Sequence, residues 1–447
     1  MATLDRWRRY LNTPLTIAFP SMTMMGRDRK LGNGRGEVKL ASSENFTFLM
    51  NAHLLDDLER ITDEITALRK APQDPTGHPR VTGLDAEGVR WSCHYMAPWC
   101  YTAHGNRLFG GTIVSLVTKD QSETVSHDCS TELILSLGGA NWLAMGIANA
   151  VQADQPGGEL RRDYELEILG SKIRFVLEPD ANTLSITATH SSEFPSVYSE
   201  SWLVQPLRIM FGELIYPRLI ARNVGDGTAF VFITRSSDFV RDAYWATLWD
   251  RDYVNQPNSA FWSRYSQLLY LIAREKGKDG KPEVAPKITR IYEELIEAGR
   301  GTHWVWALTF ASTIEAIATI LAPQEIELTK AEAEEMDALV KHINAWKGEG
   351  RLKENAVRAV RRTAEMTTIK ALRKLRSESI ITKEQLDAWQ TTRNSVMHGT
   401  LLSPYSTEKE NERLNALAAM MHAMTREVIR RAVSESIIKE VSATSVR

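Results

Sequence analysis

Seven residues near the end of the chain, Arg393-Asn394-Ser395-Val396-Met397-His398-Gly399, bring a guanidinium, an amide and an imidazole close together in sequence. A guanidinium is permanently charged and presents its donors as a planar fork that suits a carboxylate or a phosphate. An imidazole gives or takes a proton near neutral pH. Without a metal, these groups suit RNA strand cleavage. The 2′-hydroxyl attacks the adjacent phosphorus, a His moves the proton, and an Arg stabilises the charge growing on the phosphoryl oxygens. DNA lacks that hydroxyl and would resist.

The spacing of apolar residues predicts that a helix over 383–398 positions these groups. With Leu386 at 0° and about 100° per residue, Trp389 falls at about 300°, Val396 at about 280° and Met397 at about 20°. Arg393, at about 340°, is expected in the middle of this apolar stripe, where a guanidinium is costly unless a partner or an anion meets it. The candidate partner is Glu315, the one charge in the apolar run Trp304–Leu321. That run should form the central helix of a bundle. His398 lies about 140° round from Arg393, so one chain aims both at a single phosphate only if the helix loosens or a second subunit supplies the complement. Gly399 suits the position just past a helix end, with Pro404 beyond it. The helix dipole at that end raises the affinity of an imidazole for a proton.

Arg393-Asn394-x-x-x-His398, at the end of a late helix in an all-helical region, resembles the Rx4–6H motif of the HEPN superfamily. The form with Asn directly after Arg is typical of its ribonucleases. The resemblance implies a four- to five-helix bundle that dimerises, so that two motifs face each other in a composite, metal-independent ribonuclease site. It implies that Arg393 and His398 are catalytic, that Asn394 orients them and that Glu315 supports them, with no cofactor and no metal. Many members are toxins or act in abortive phage defence. A mixed N-terminal domain followed by a HEPN domain resembles the ApeA-like abortive-infection proteins. That order implies an N-terminal domain which senses a phage-derived trigger and holds the nuclease quiet. The expected partners are RNA and a second copy, as a homodimer or higher homo-oligomer. The N-terminal half is matched by domain order alone.

Two rival readings stand beside this one. The segment 351–378 has nine basic residues against three acidic. Its Arg358, Arg361, Arg362, Lys370, Arg373 and Lys374 are candidate RNA-binding residues, so the helical half is alternatively a non-catalytic module for RNA or a nucleotide. Such a run is by default a solvated helix face. The segment 409–433 repeats Leu414, Leu417, Met421, Met424 and Val428 at coiled-coil spacing, a seam for a neighbouring helix or for another protein on a scaffold.

The whole chain bounds these readings. Its 447 residues exceed one ordinary core. A net charge of −2 makes no global basic field, so nucleic-acid contacts must be local. No apolar run reaches the ~18 residues of a membrane span, and the N-terminus carries charges where a secretory core would lie. Three cysteines fit a reducing compartment. A cytoplasmic protein is expected. The fold class expected is α+β, with a mixed, β-rich domain over 1–240 and an all-helical HEPN-like domain over 241–447.

Within 1–240, the glycine-rich stretch Gly26–Gly36 is read as a surface loop before a strand at Glu37–Ala41. A phosphate cradle is the less favoured reading, since no Lys-Ser/Thr follows. Residues 52–70 have a helical period, ended by Pro72, Pro75 and Pro79. From 87 to 235 the pattern is that of strands, an antiparallel meander or sandwich-like domain. Tyr164–Ile168 pairs with Ile173–Leu177 across a two-residue type II′ loop at Gly170-Ser171, then with Leu184–Thr189, and Leu133–Leu135 and Phe230–Ile233 are further strands. Helices are expected over 142–150 and 202–220, the second interrupted by Pro206 and Pro217. The aromatic group Tyr244, Trp245, Trp249, Tyr253, Phe261 and Trp262 is read as packing at a domain junction in preference to base stacking. Beyond it helical periods cover 260–274, 286–299, 302–321, 329–346, 352–376, 383–398 and 409–433. Cys93-His94, Cys100, His104 and His127-Asp128-Cys129 match no familiar zinc spacing. HExxH, GxSxG and GxxxxGK[ST] are absent from the sequence.

Overall fold

A computed structural model of the chain describes residues 3–26, 29–42, 44–54, 80–103, 106–137, 141–153, 163–178, 182–236, 260–299, 301–322, 329–362, 364–397 and 407–444, with Asp63, Thr66, Thr247 and Leu248. It is an α+β protein of two compact units, residues 1–240 with 249–286 and residues 241–248 with 287–447.

Twelve antiparallel strands make the frame of the first unit. They are β1 (Leu15–Met25), β2 (Lys30–Leu40), β3 (Phe46–Leu54), β4 (Arg80–Leu84), β5 (Arg90–Ala103), β6 (Asn106–Asp120), β7 (Cys129–Ser136), β8 (Asp163–Ile168), β9 (Ser171–Glu178), β10 (Thr183–Thr189), β11 (Leu219–Val224) and β12 (Ala229–Thr234). The first six close into a barrel in the order β3-β2-β1-β4-β5-β6, because β3 also pairs with β6. β6 is long enough to serve twice. Its residues 107–112 pair with β3, and its residues 115–120 pair with β12. From β12 the sheet continues through β11, β7, β10, β9 and β8.

The barrel explains the glycines. From Lys30 on, the stretch read as a surface loop is β2, and Gly34 and Gly36 pair with Ala52 and Met50 of β3. A β-carbon at Gly34 would overlap the Asn51 carbonyl, and one at Gly36 the Leu49 carbonyl. Close backbone approach, a use of strand glycine that local sequence does not reveal, accounts for the alternation. Residues 52–54, expected to begin a helix, end β3, and most of the rest of 52–70 and the following prolines lie outside the described residues.

The meander of β8, β9 and β10 has the expected pairing, with one correction at its first turn. Ile168 pairs with Ser171, so the loop is Leu169-Gly170, and both residues have positive φ, at 53° and 67°. That is the type I′ pattern, which follows the strand twist. The helix expected over 202–220 is instead α2 (Ser196–Phe211), after α1 (Asn141–Ala153). Gly212 in the left-handed region stops α2 and returns its N–H to the Arg208 carbonyl at 2.8 Å. Ile220 belongs to β11. A 3-10 helix at Thr3–Leu11 is anchored on the sheet by the buried Glu132, whose carboxylate accepts from the Thr3 and Leu4 N–H groups at 3.1 Å each. Helix α3 (Ala260–Arg274) packs in this unit. Its Trp262 stacks on Tyr164 with ring centres 4.0 Å apart, and Phe261 is buried beside it. Tyr244, Trp245, Trp249 and Tyr253 lie outside the described residues.

Helices α4 (Lys287–Ala298), α5 (His303–Leu321), α6 (Lys330–Ala345), α7 (Gly350–Arg362), α8 (Thr368–Ser377), α9 (Lys383–Met397) and α10 (Glu408–Thr444) form the second unit. α5 is central and packs on α4, α8, α9 and α10. The seam of α10, from Leu414 to Val428, is buried within this bundle. α5 is also the one described helix long and apolar enough to cross a membrane by length and composition, and half of it is buried in the bundle. The single helix expected over 352–376 is two. Ala364 and Glu365 close the end of α7 with turn hydrogen bonds to the Arg361 and Arg362 carbonyls, and the Thr367 hydroxyl accepts from the Lys370 N–H to open α8. Threonines there favour caps over helix interior.

Two tests of this packing follow. Gly34→Ala is expected to destabilise the first unit by about 1–3 kcal/mol through overpacking, read as a lowered denaturant midpoint. In the bundle, the buried Glu427 carboxylate bonds Arg430 and Arg431 at 2.6 and 2.7 Å, and chiefly the Arg430 hydrogen bond holds it down from 4.5 to about 2. A carboxyl lowered by folding stabilises fully above its unfolded value and loses that contribution as pH falls from 4.5 towards 2. Glu427→Gln should therefore melt below the parent at pH 7 and converge with it near pH 2.

Candidate active site

Arg393 sits in the last turn and a half of α9, facing Glu315 in the second half of α5. Its Nε donates to Glu315 Oε1 at 2.7 Å, and its guanidinium lies 5.8 Å from the Trp389 ring centre. The pair is not buried. Side-chain exposure is 44% for Arg393 and 36% for Glu315, which puts both at the rim of the bundle. The expectation of Arg393 in mid-stripe is corrected by Thr392, which is fully buried with its hydroxyl turned back to the Ala388 carbonyl at 2.8 Å. Leu386, Trp389 and Thr392 make the buried face, and Arg393 stands about 40° off its centre.

The geometry leaves the guanidinium half used. Nε is held by Glu315, while the two terminal nitrogens have no hydrogen-bond partner among the described residues. A fork oriented at one edge and open at the other can receive a phosphate or carboxylate in bidentate fashion. Asn394, next along α9, is exposed. His398, Gly399 and Pro404 lie outside the described residues, which end α9 at Met397. The structure thus brings together Arg393 and Glu315, with Asn394 adjacent.

The basic segment divides. Arg358, Arg361 and Arg362 are on α7 and are exposed. Lys370, Arg373 and Lys374 are on α8, where Lys370 is half-buried and its ammonium donates to the Glu365 carbonyl at 3.0 Å. Asn344, near the end of α6, lines a groove with Lys353, Arg358 and Arg361 and was not singled out by local sequence reading. Trp346, an exposed aromatic just past the same helix end, was passed over as well.

The first unit offers weaker chemistry. His190 Nε2 meets Thr131 Oγ1 at 2.8 Å, and Thr131 meets the Ser199 hydroxyl at 2.6 Å. Ser199 is fully buried, so this chain of hydroxyls presents no accessible nucleophile. Burial and the nearby Arg222 lower the His190 pKa. Cys93 is enclosed in the barrel, and burial pushes its thiol up to about 12. Among the described residues no three His, Cys, Asp or Glu side chains converge as metal ligands.

Comparison of the chain with family models, curated proteins and solved structures found no match.

The half-exposed pair makes a stability prediction. Exposed ion pairs contribute about 0–1 kcal/mol, so Arg393→Ala should cost less than about 1 kcal/mol. Trp389→Ala, which empties a buried aromatic site, should cost about 3–5 kcal/mol. Denaturant titration of both variants checks the contrast.

Proposed function

We propose that the chain is a metal-independent endoribonuclease of the HEPN type, and that the helical unit is a HEPN-like bundle. The observation carrying this reading is Arg393 at the end of α9, steered by Glu315 of the central helix and with no hydrogen-bond partner for its terminal nitrogens among the described residues. In the reaction, the RNA 2′-hydroxyl gives up its proton to solvent water as its oxygen forms a bond to phosphorus, and the bond from phosphorus to the 5′-oxygen breaks. Arg393 stabilises the charge on the non-bridging oxygens. His398 gives a proton to the departing 5′-oxygen. The products are a 2′,3′-cyclic phosphate and a 5′-hydroxyl. Asn394 orients the pair.

A second copy of the chain completes the site. This is supported by α5, which is apolar almost all round yet leaves Val305 37% and Leu308 43% exposed on the stripe that leads through Ser312 to Glu315. Covering that stripe with the same stripe of a partner would bring two Arg393 forks to one interface. The β-rich unit is assigned the role of sensor, holding the nuclease quiet until a phage-derived trigger arrives in abortive defence.

Purified protein incubated with RNA should yield cyclic-phosphate ends, with EDTA present or absent. His398→Ala and Arg393→Ala should each lower the rate at least about a hundredfold, the scale of lost acid–base or oxyanion assistance. Undiminished cleavage by His398→Ala would end this reading. RNA retained without cleavage would favour the binding module, which α7 supports through exposed arginines that lack carboxylate partners among the described residues.

A further inference from the structure

Helices α6 and α7 stand apart in their packing. They pack chiefly on each other, and neither has a buried residue. Met336, Val340 and Ile343 of α6 and Val357 and Val360 of α7 are half-buried, the stripes by which the hairpin closes on itself. The opposite side of α7 carries Arg351, Arg358 and Arg362 within about 40° of one another, flanked by Arg361. All four are exposed, and none pairs with a carboxylate among the described residues.

Charge alone would make this a solvated face. Two further observations point past that. On the flank of α7, Lys353, Val357, Arg358 and Arg361 join Asn344 of α6 around an open groove of about 360 Å³, the lower end of the size range for small-ligand pockets. In the turn that joins α6 to α7, two residues on from Asn344, Trp346 is 50% exposed and its indole lies over Gly348, where a β-carbon would overlap the ring. An aromatic ring offered to solvent on the same helical hairpin as exposed arginines is a combination that holds single strands, a base on the ring and phosphates on the cations. Glu354 and Glu365 also line the groove. They would repel a phosphate but accept hydrogen bonds from the amino edge of an unpaired base, as the Asn344 amide can on either edge.

We propose that the α6–α7 groove binds single-stranded RNA, with an unpaired base stacked on Trp346 and the neighbouring phosphates held by Arg358 and Arg361. A base inside a duplex is already stacked on both faces, so the ring selects single strands. The inference rests on RNA being the substrate of the Arg393 site, and it assigns substrate capture to helices other than those that carry the motif.

The test is fluorescence anisotropy on the full chain. The probe is a short labelled RNA with 2′-O-methyl sugars, which cannot be cleaved, used as a single strand and annealed to its complement. The single strand should bind more tightly than the duplex. Trp346→Ala, Trp346→Leu and the double variant Arg358→Ala/Arg361→Ala should each weaken single-strand binding about tenfold. The Leu variant keeps an apolar side chain at the turn, and circular dichroism checks that helix content is unchanged. Equal affinity in the Trp346 variants, preference for duplex or no binding by the parent would overturn the proposal. Cleavage with hairpin-independent binding sinks the groove and leaves the ribonuclease. Hairpin-dependent binding without cleavage does the reverse.

Discussion

Burial of α5 is the constraint that arranges the helical unit. A helix apolar on nearly every side must be enclosed, and α4, α8, α9 and α10 each give it one apolar stripe. Enclosure leaves little room for the single carboxylate that α5 carries. Fully burying an ion pair would cost several kcal/mol per ion in lost hydration, only partly recovered by their attraction. Placing Glu315 at the rim, opposite the last turns of α9, avoids that cost. It also fixes what Arg393 can do. A pair this exposed adds little to stability, so the arrangement is better understood as orienting a guanidinium than as holding two helices together. Helix cohesion comes from neighbouring buried groups, among them Trp389, whose indole N–H reaches the Ala311 carbonyl at 3.3 Å, and Tyr292, whose hydroxyl meets His422 and Thr425 at 3.1 Å each.

The first unit is governed by a different economy of pairing. An open sheet of twelve strands would present two free edges, and closing six of them removes one. The closure works because β6 changes partner along its length, and because Gly34 and Gly36 let β2 approach β3 more closely than any side chain permits. The remaining edge, β8, carries Asp163, Glu165 and Glu167 against Lys172 and Arg174, a charged edge that discourages pairing with another chain.

Much of this was legible locally, and the failures share a cause. The helices of the second unit and the β8–β10 meander declare themselves by period, since each buries one face against a neighbour close at hand. The barrel does not, because β3 meeting β6 is a long-range fact and glycine in isolation speaks for a loop. The 352–376 segment misled because its apolar positions keep helical spacing through Ala364, and only Thr363, Thr367 and Thr368 announce the break. At the site, the Glu315–Arg393 pairing could be anticipated because each is a charge set in an apolar run. The depth of Arg393 could not, because Thr392 counts as polar by type and behaves as apolar once its hydroxyl is satisfied within the helix.

That offset of about 40° changes the chemistry open to the site. A guanidinium in the centre of the stripe would be consumed by Glu315 and shielded from any ligand. At the edge, Glu315 engages only Nε and the fork keeps two nitrogens for an incoming anion. The carboxylate also offsets the resting charge, so the pair attracts a ground-state phosphodiester less than a bare arginine would. On the proposed ribonuclease reading, the two remaining donors would meet the charge that grows on the phosphoryl oxygens during attack, and initial capture of the strand would fall to other cations, among them the exposed arginines of α7.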